Sequence, residues 1–223
     1  MDILKTIWAG LDWSVLTNIL MRILPALLCI TLHEMGHGFA ALCMGDTTAR
    51  DMGRLSLNPL HHIDPMGLVM MVVFRFGWAK PVPINMYRFK NPKRGMAITA
   101  LAGPVSSVLL SVLLLLLCGP LIPLQNTAVG SFLLTVAVSS AYLSLSLGIF
   151  NLLPVPPLDG SKVLFSVLSD EAYEKLMRYE RYGMLVLVAL LSSGILRTPL
   201  SALTEAIFDK LVILAEWSYR LVS

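Results

Sequence analysis

Charge is what this chain has least of. Lys, Arg, Asp and Glu make up 14% of its 223 residues, hydrophobic residues 56%, and the mean hydropathy is +0.75. A soluble domain carries about 25% charged residues, so the composition excludes an ordinary globular chain and fits an integral-membrane one. The net charge is only +3, and the bases gather in loops rather than among exposed aromatics, which excludes nucleic-acid binding. Cysteine is also scarce. Cys29, Cys43 and Cys118 all lie in apolar segments without C-x-x-C spacing, which excludes a disulfide framework and a cysteine zinc site. Residues 1–13 carry Asp2, Lys5 and Asp12 and lack the basic start and small-residue cleavage site of a secretory signal, so the whole chain is expected to be mature. No stretch between the apolar segments is long enough to bury a core of its own. A single membrane domain over 1–223 is therefore expected.

What is present is a series of apolar runs. The first, 14–44, is interrupted by Pro25 and closed by Gly45 and Asp46, as a helix would be. Residues 45–94 form a loop or strand element, in which Asp51 to Pro65, rich in Asn, Pro, His and Asp, reads as turns. Then Met66 to Phe74 has the length of a strand, which predicts a small strand or loop element at the membrane surface. Two clear spans follow, Ala97 to Cys118 and Ser131 to Phe150. Leu152 to Leu158 then holds three prolines. Irregular backbone of that kind is tolerated at membrane depth only where protein or a water-filled cavity surrounds it, so the break marks a working site. Residues 95–168 thus form the core, and 169–223 C-terminal helices whose topology stays open. The fold expected is an all-α transmembrane bundle of about four to six helices, with the strand or loop element between the first and second spans. Eight Lys or Arg lie between Arg50 and Arg94 and four between Lys162 and Arg181, with none in the 119–130 linker. By the positive-inside rule the basic loops are cytoplasmic.

Inside the first apolar run stands His33-Glu34-Met35-Gly36-His37. On a helix, residues four apart share a face, so both imidazoles reach one zinc ion with Glu34 beside them as general base. Zinc lowers the pKa of a bound water to about 7, and a carboxylate takes the proton as the water attacks a peptide carbonyl. Placing such groups in a membrane segment costs about 2.5 to 3.5 kcal/mol per charge, which marks them as functional. Zinc of this type takes a third protein ligand. The only acidic residue between Asp64 and Asp170 is Asp159, at the end of the proline-rich break. Alone, its position suits a helix N-cap as well as a ligand; the histidine pair favours the ligand.

His33 to His37, followed by Asn151-Leu152-Leu153-Pro154-Val155-Pro156-Pro157-Leu158-Asp159-Gly160, resembles the site-2 protease family of intramembrane zinc metalloproteases. Arg54 to Pro65 and Gly77 to Pro83 resemble stretches of its compact members, which lack regulatory domains. The resemblance implies a transmembrane helical core, one zinc per chain held by His33, His37 and Asp159, Glu34 as catalytic base, and transmembrane segments of other proteins as substrates. One departure stands out. The family's third motif often reads Gly-Pro-x-x-Asn, and here Gly103-Pro104-Val105-Ser106-Ser107 puts a serine at the asparagine position. Ser107 and Asn151 are candidate polar groups for substrate or oxyanion, and His62 a further candidate; small-residue helix packing is the simpler role for Gly103, Ser106 and Ser107. The run Pro81-Val82-Pro83, with Gly67 and Gly77, could supply an edge that receives substrate as an added strand. A non-catalytic membrane chaperone or scaffold that keeps the metal is the alternative, and Ser107 is the one feature that invites it. A bacterial or archaeal cell membrane is the expected location, with the site toward the cytoplasm.

Overall fold

The computed structural model describes residues 13–67, 69 and 79–222. The elements in chain order are α1 (Trp13–Cys43), the single turn α2 (Thr48–Asp51), α3 (Pro92–Leu121), α4 (Ala128–Asn151), α5 (Asp159–Ser166), α6 (Asp170–Ser192), α7 (Arg197–Leu211) and α8 (Ile213–Arg220). Short 3-10 turns at Pro59–His62, Met86–Arg88 and Ile122–Leu124 join them. Among the described residues three stretches are helical, long and apolar enough to cross a membrane, namely Leu20–Cys43, Pro92–Leu124 and Ala128–Asn151. A fourth crossing exists if Tyr182–Ser192 and Arg197–Arg220, bent by 82° at the break between them, count as one.

Local chemistry sets the helix starts. Asn91 accepts a hydrogen bond from the Arg94 N–H with Pro92 at the first helical position of α3, Thr127 accepts from the Gly130 N–H, and Ser169 accepts from the Ala172 N–H. Along α3 the usual soluble pattern is inverted. Val105, Leu109, Leu113 and Leu117, four residues apart, are exposed, whereas Thr99, Gly103, Ser107 and Ser111 on another face are buried. Lipid offers no penalty to large apolar side chains, so packing selects small residues that let backbones approach and hydroxyls that bond across helices. Ser106 Oγ accordingly donates to the Leu32 carbonyl of α1 at 3.1 Å, Ser144 Oγ of α4 to the Ser107 carbonyl at 2.8 Å, and Cys29 Sγ of α1 to the Ser140 carbonyl at 3.3 Å. These pairings run α3 antiparallel to both α1 and α4. Pro25 lies inside α1 without ending it.

The expected strand or loop element is described only in part, and the described part is mostly loop and short turns. Residues 65–67 and 69, where the apolar run begins, are helical; residues 68 and 70–74, the rest of it, lie outside the described residues, as do 75–78. Among the described residues extended pairing is confined to the bridge between Ile63 and Ala79. The C-terminal stretch folds as α7 and α8 against the core: the Tyr142 and Phe208 rings meet edge-on at 5.2 Å, and Ser218 lies against Gly119.

Between α1 and α3 the chain is anchored by Asp46. This buried carboxylate accepts from the N–H groups of Thr48 (3.0 Å) and Asn85 (2.6 Å) and from the Thr48 hydroxyl. Burial alone would raise its pKa, but these bonds and the nearby Arg88 cation outweigh it and hold the carboxyl below the usual range. A carboxylate whose folded pKa is depressed adds stability above its unfolded value, near pH 4, and loses it as pH falls toward the folded value. Asp46→Ala is expected to cost about 2 kcal/mol at neutral pH. Thermal melts in detergent should show the deficit shrinking below about pH 4, where the wild type loses the same contribution.

Candidate metal centre and active site

The two histidines project from one face of α1, and Asp159 meets them from the first turn of α5. Asp159 is not an N-cap: that position is held by Leu158, without a side-chain cap bond. Its Oδ2 lies 3.3 Å from His33 Nε2 and 3.1 Å from His37 Nε2, and the two Nε2 atoms are 3.2 Å apart. His33, His37 and Asp159 are 5%, 7% and 8% exposed.

The donors fit a metal ion. His37 Nδ1 is 2.8 Å from the Thr99 carbonyl, which can only accept, so Nδ1 carries the proton and Nε2 keeps its lone pair. His33 Nδ1 lies 3.0 Å from Ser107 Oγ. Asp159 Oδ2 is buried without a hydrogen-bond partner. Buried lone pairs facing one another repel unless a cation lies among them. The near-equilateral triangle of 3.1, 3.2 and 3.3 Å matches a tetrahedral zinc, whose ligands at about 2.0 Å are separated by about 3.3 Å. These are the three residues among those described that could hold a metal together.

Two glycines make room for this arrangement. A Cβ on Gly103 would collide with the rings of His37 and His33, and one on Gly36 would meet Ser106 Oγ and the Ala102 carbonyl. Gly36 lets α1 and α3 touch, and Gly103 gives the imidazoles their space.

Glu34 faces a cavity of about 520 Å³ whose lining also includes both histidines, Asp159, Asn151 and Lys162. Apolar walls come from Ile30, Ile84, Leu147, Phe150, Met184 and Leu187. Glu34 Oε2 accepts a 2.8 Å hydrogen bond from the Val82 N–H, a contact the sequence gives no sign of. The segment around Val82 is held throughout. The Lys80 N–H donates to the His62 carbonyl, Arg54 donates to the carbonyls of Lys80 and Pro81, and the Asn85 N–H goes to Asp46. Pro81 and Pro83 have no N–H. Between 80 and 83 the backbone N–H groups are thus engaged within the chain and the stretch forms a wall of the cavity; Gly77, the other part of the expected substrate edge, lies outside the described residues.

The remaining sequence candidates fall into different places. Asn151 ends α4 at the cavity, with its Nδ2 donating to the Leu147 carbonyl at 2.9 Å. Ser107 is behind His33 and does not line the cavity. His62 is buried in the 54–63 loop, where its Nε2 bonds the Ser56 carbonyl at 2.8 Å; it supports the wall rather than facing the triad.

The sequence also has relatives. The description of peptidase family M50 matches residues 117–193. A Bacillus subtilis protein, YwhC, named as a candidate zinc metalloprotease, is 36% identical over 171 residues, covering 75% of this chain and 78% of the relative. Rip2 of Mycolicibacterium smegmatis, similarly named, is 32% identical over 82% of this chain and 71% of its own length. MJ0611 of Methanocaldococcus jannaschii, with the same style of name, is 32% identical over 60% and 69%. No solved structure matches significantly. By the extent of these alignments the chain belongs to peptidase family M50, the site-2 protease family its motifs resemble.

Proposed function

We propose that this chain is an intramembrane zinc metalloprotease that hydrolyses peptide bonds in or near transmembrane segments of membrane-protein substrates. The observation that carries the reading is the buried triangle of His33, His37 and Asp159 donors at a cavity shared with Glu34. His33 Nε2, His37 Nε2 and an Asp159 carboxylate oxygen would hold the zinc. When bound, zinc supplies Lewis acidity, polarising a carbonyl and acidifying water.

The chain's own residues do the rest. Glu34 has one carboxylate oxygen on the Val82 N–H, which leaves Oε1 to take the proton of the attacking water and return it to the leaving amide nitrogen. Ile30, Leu147, Phe150 and Leu187 offer an apolar surface to an apolar substrate segment and keep bulk water from the reacting carbonyl. A helical substrate must unwind first, because its carbonyls are engaged internally.

Depth supports the intramembrane assignment. His37 is six residues from the end of α1, about 9 Å along the helix axis, within a hydrocarbon core about 30 Å thick. The ends of α1 and α4 and the start of α3 adjoin the basic loops, so the site opens toward the cytoplasmic side of a bacterial or archaeal cell membrane.

The test is zinc content of detergent-purified protein, with cleavage of a model transmembrane substrate followed in the same samples. The wild type should carry near one zinc per chain, and His33→Ala and Asp159→Ala should lose both metal and cleavage. A wild type that takes up no zinc would overturn the reading.

A further inference from the structure

The serine at the family's asparagine position has an occupation of its own here. Ser107 is fully buried, 0% exposed, in the seam where α3 meets α1 and α4. Its hydroxyl lies 3.0 Å from His33 Nδ1, and its carbonyl accepts a 2.8 Å hydrogen bond from Ser144 Oγ of α4. The face of His33 toward the cavity is the opposite one, where Nε2 meets His37 Nε2 and Asp159 Oδ2. A side chain behind the ring cannot touch a substrate in front of it.

We propose that Ser107 is the positioning residue of His33: its Oγ accepts the Nδ1–H, fixes the tautomer that leaves the Nε2 lone pair for metal, and sets the ring's rotation. The inference rests on the zinc reading above. Its physical basis is general. A metal-ligating histidine donates its second ring nitrogen to an acceptor that orients it, and loss of that acceptor weakens metal binding about 10- to 100-fold. His37 obtains the same service from the Thr99 carbonyl, a backbone atom that no side-chain substitution removes. Ser107 is therefore the half of this pair that mutation can reach. Ser144 bonds the Ser107 carbonyl and does not contact the imidazole.

The seam around Ser107 is closely packed. Across the seam stands Gly148, where even an added Cβ would lie 3.2 Å from the Ser107 Cβ and 3.0 Å from the Pro104 carbonyl. The serine hydroxyl spans the gap to His33 at hydrogen-bond length.

The experiment measures zinc affinity of full-length protein in detergent, by competition with a chelator of known affinity, for the wild type and for Ser107→Ala, Ser144→Ala and Ser107→Asn. Ser107→Ala should bind zinc about 10- to 100-fold more weakly, and its cobalt-loaded form should show a shifted visible absorption spectrum. Ser144→Ala, which removes a hydroxyl from the same seam, should match the wild type in both readouts. Should Ser107→Ala fail to accumulate, Ser107→Cys fills the place with a weak acceptor and carries the same expectation. Wild-type affinity in Ser107→Ala or Ser107→Cys, or higher cleavage at unchanged affinity in Ser107→Asn, overturns the assignment and makes position 107 a substrate contact. A wild type without zinc overturns the protease reading, and this proposal with it.

Discussion

Glu34→Gln is expected to lower cleavage of a transmembrane substrate by about two to four orders of magnitude, the usual contribution of a general base, while zinc content stays at the wild-type level. The separation of the two effects follows from geometry. Glu34 lies outside the triangle of His33, His37 and Asp159, so the donors are untouched. Glutamine keeps a carbonyl oxygen that can still accept from the Val82 N–H, so the cavity wall stays where it is. What is lost is a group able to take a proton. Cleavage in detergent with metal measured on the same sample distinguishes this from a folding defect. Cleavage near the wild-type rate would remove Glu34 from the base role.

The second large effect is expected at a residue with no functional group. Gly103→Ala places a methyl where the His37 and His33 rings now stand. One ring must rotate away or α3 must withdraw from α1, and overpacking of this kind costs about 1 to 3 kcal/mol. Gly36 holds α1 and α3 together one turn away, so the helix has little freedom to withdraw. The imidazole moves instead and the triangle opens. Zinc affinity should fall at least as far as on loss of an orienting partner, about 10- to 100-fold. Cleavage at saturating zinc should be recovered only in part, because a displaced ring holds the metal off its position. Chelator competition and a zinc titration of cleavage check both statements. Wild-type affinity in Gly103→Ala would mean that the seam is softer than it looks.

Much of this site is legible in the sequence, for reasons that can be named. His33, Glu34 and His37 announce themselves because ligand spacing is local to one helix and apolar surroundings make polar residues conspicuous. Asp159 stands out because no other acid occupies the long interval around it. Backbone partners leave no such trace. The Thr99 carbonyl on His37 and the Val82 N–H on Glu34 depend on where distant segments pass, and every residue has both groups. Ser107 was legible as a departure from a pattern, but its role depends on which way its helix faces. His62 was conspicuous as a rare residue type, yet rarity does not separate a ligand from a loop strut. The apolar run beginning at Met66 suggested a strand by its length, and its first described residues are helical, because a short apolar run carries no periodicity to choose between the two.

The triangle of donors is spread unevenly along the chain, with His37 and Asp159 separated by 122 residues. At a synthesis rate of about 5 to 20 residues per second, the histidines are synthesised roughly 6 to 24 s before the aspartate. Until α3 and α4 have inserted and the proline-rich break has turned α5 back, α1 holds a two-histidine half-site. Two imidazoles grip a metal ion weakly and exchange it freely. The complete three-donor set, and with it a firm hold on a metal ion, therefore belongs to the end of biogenesis, after the bundle has assembled.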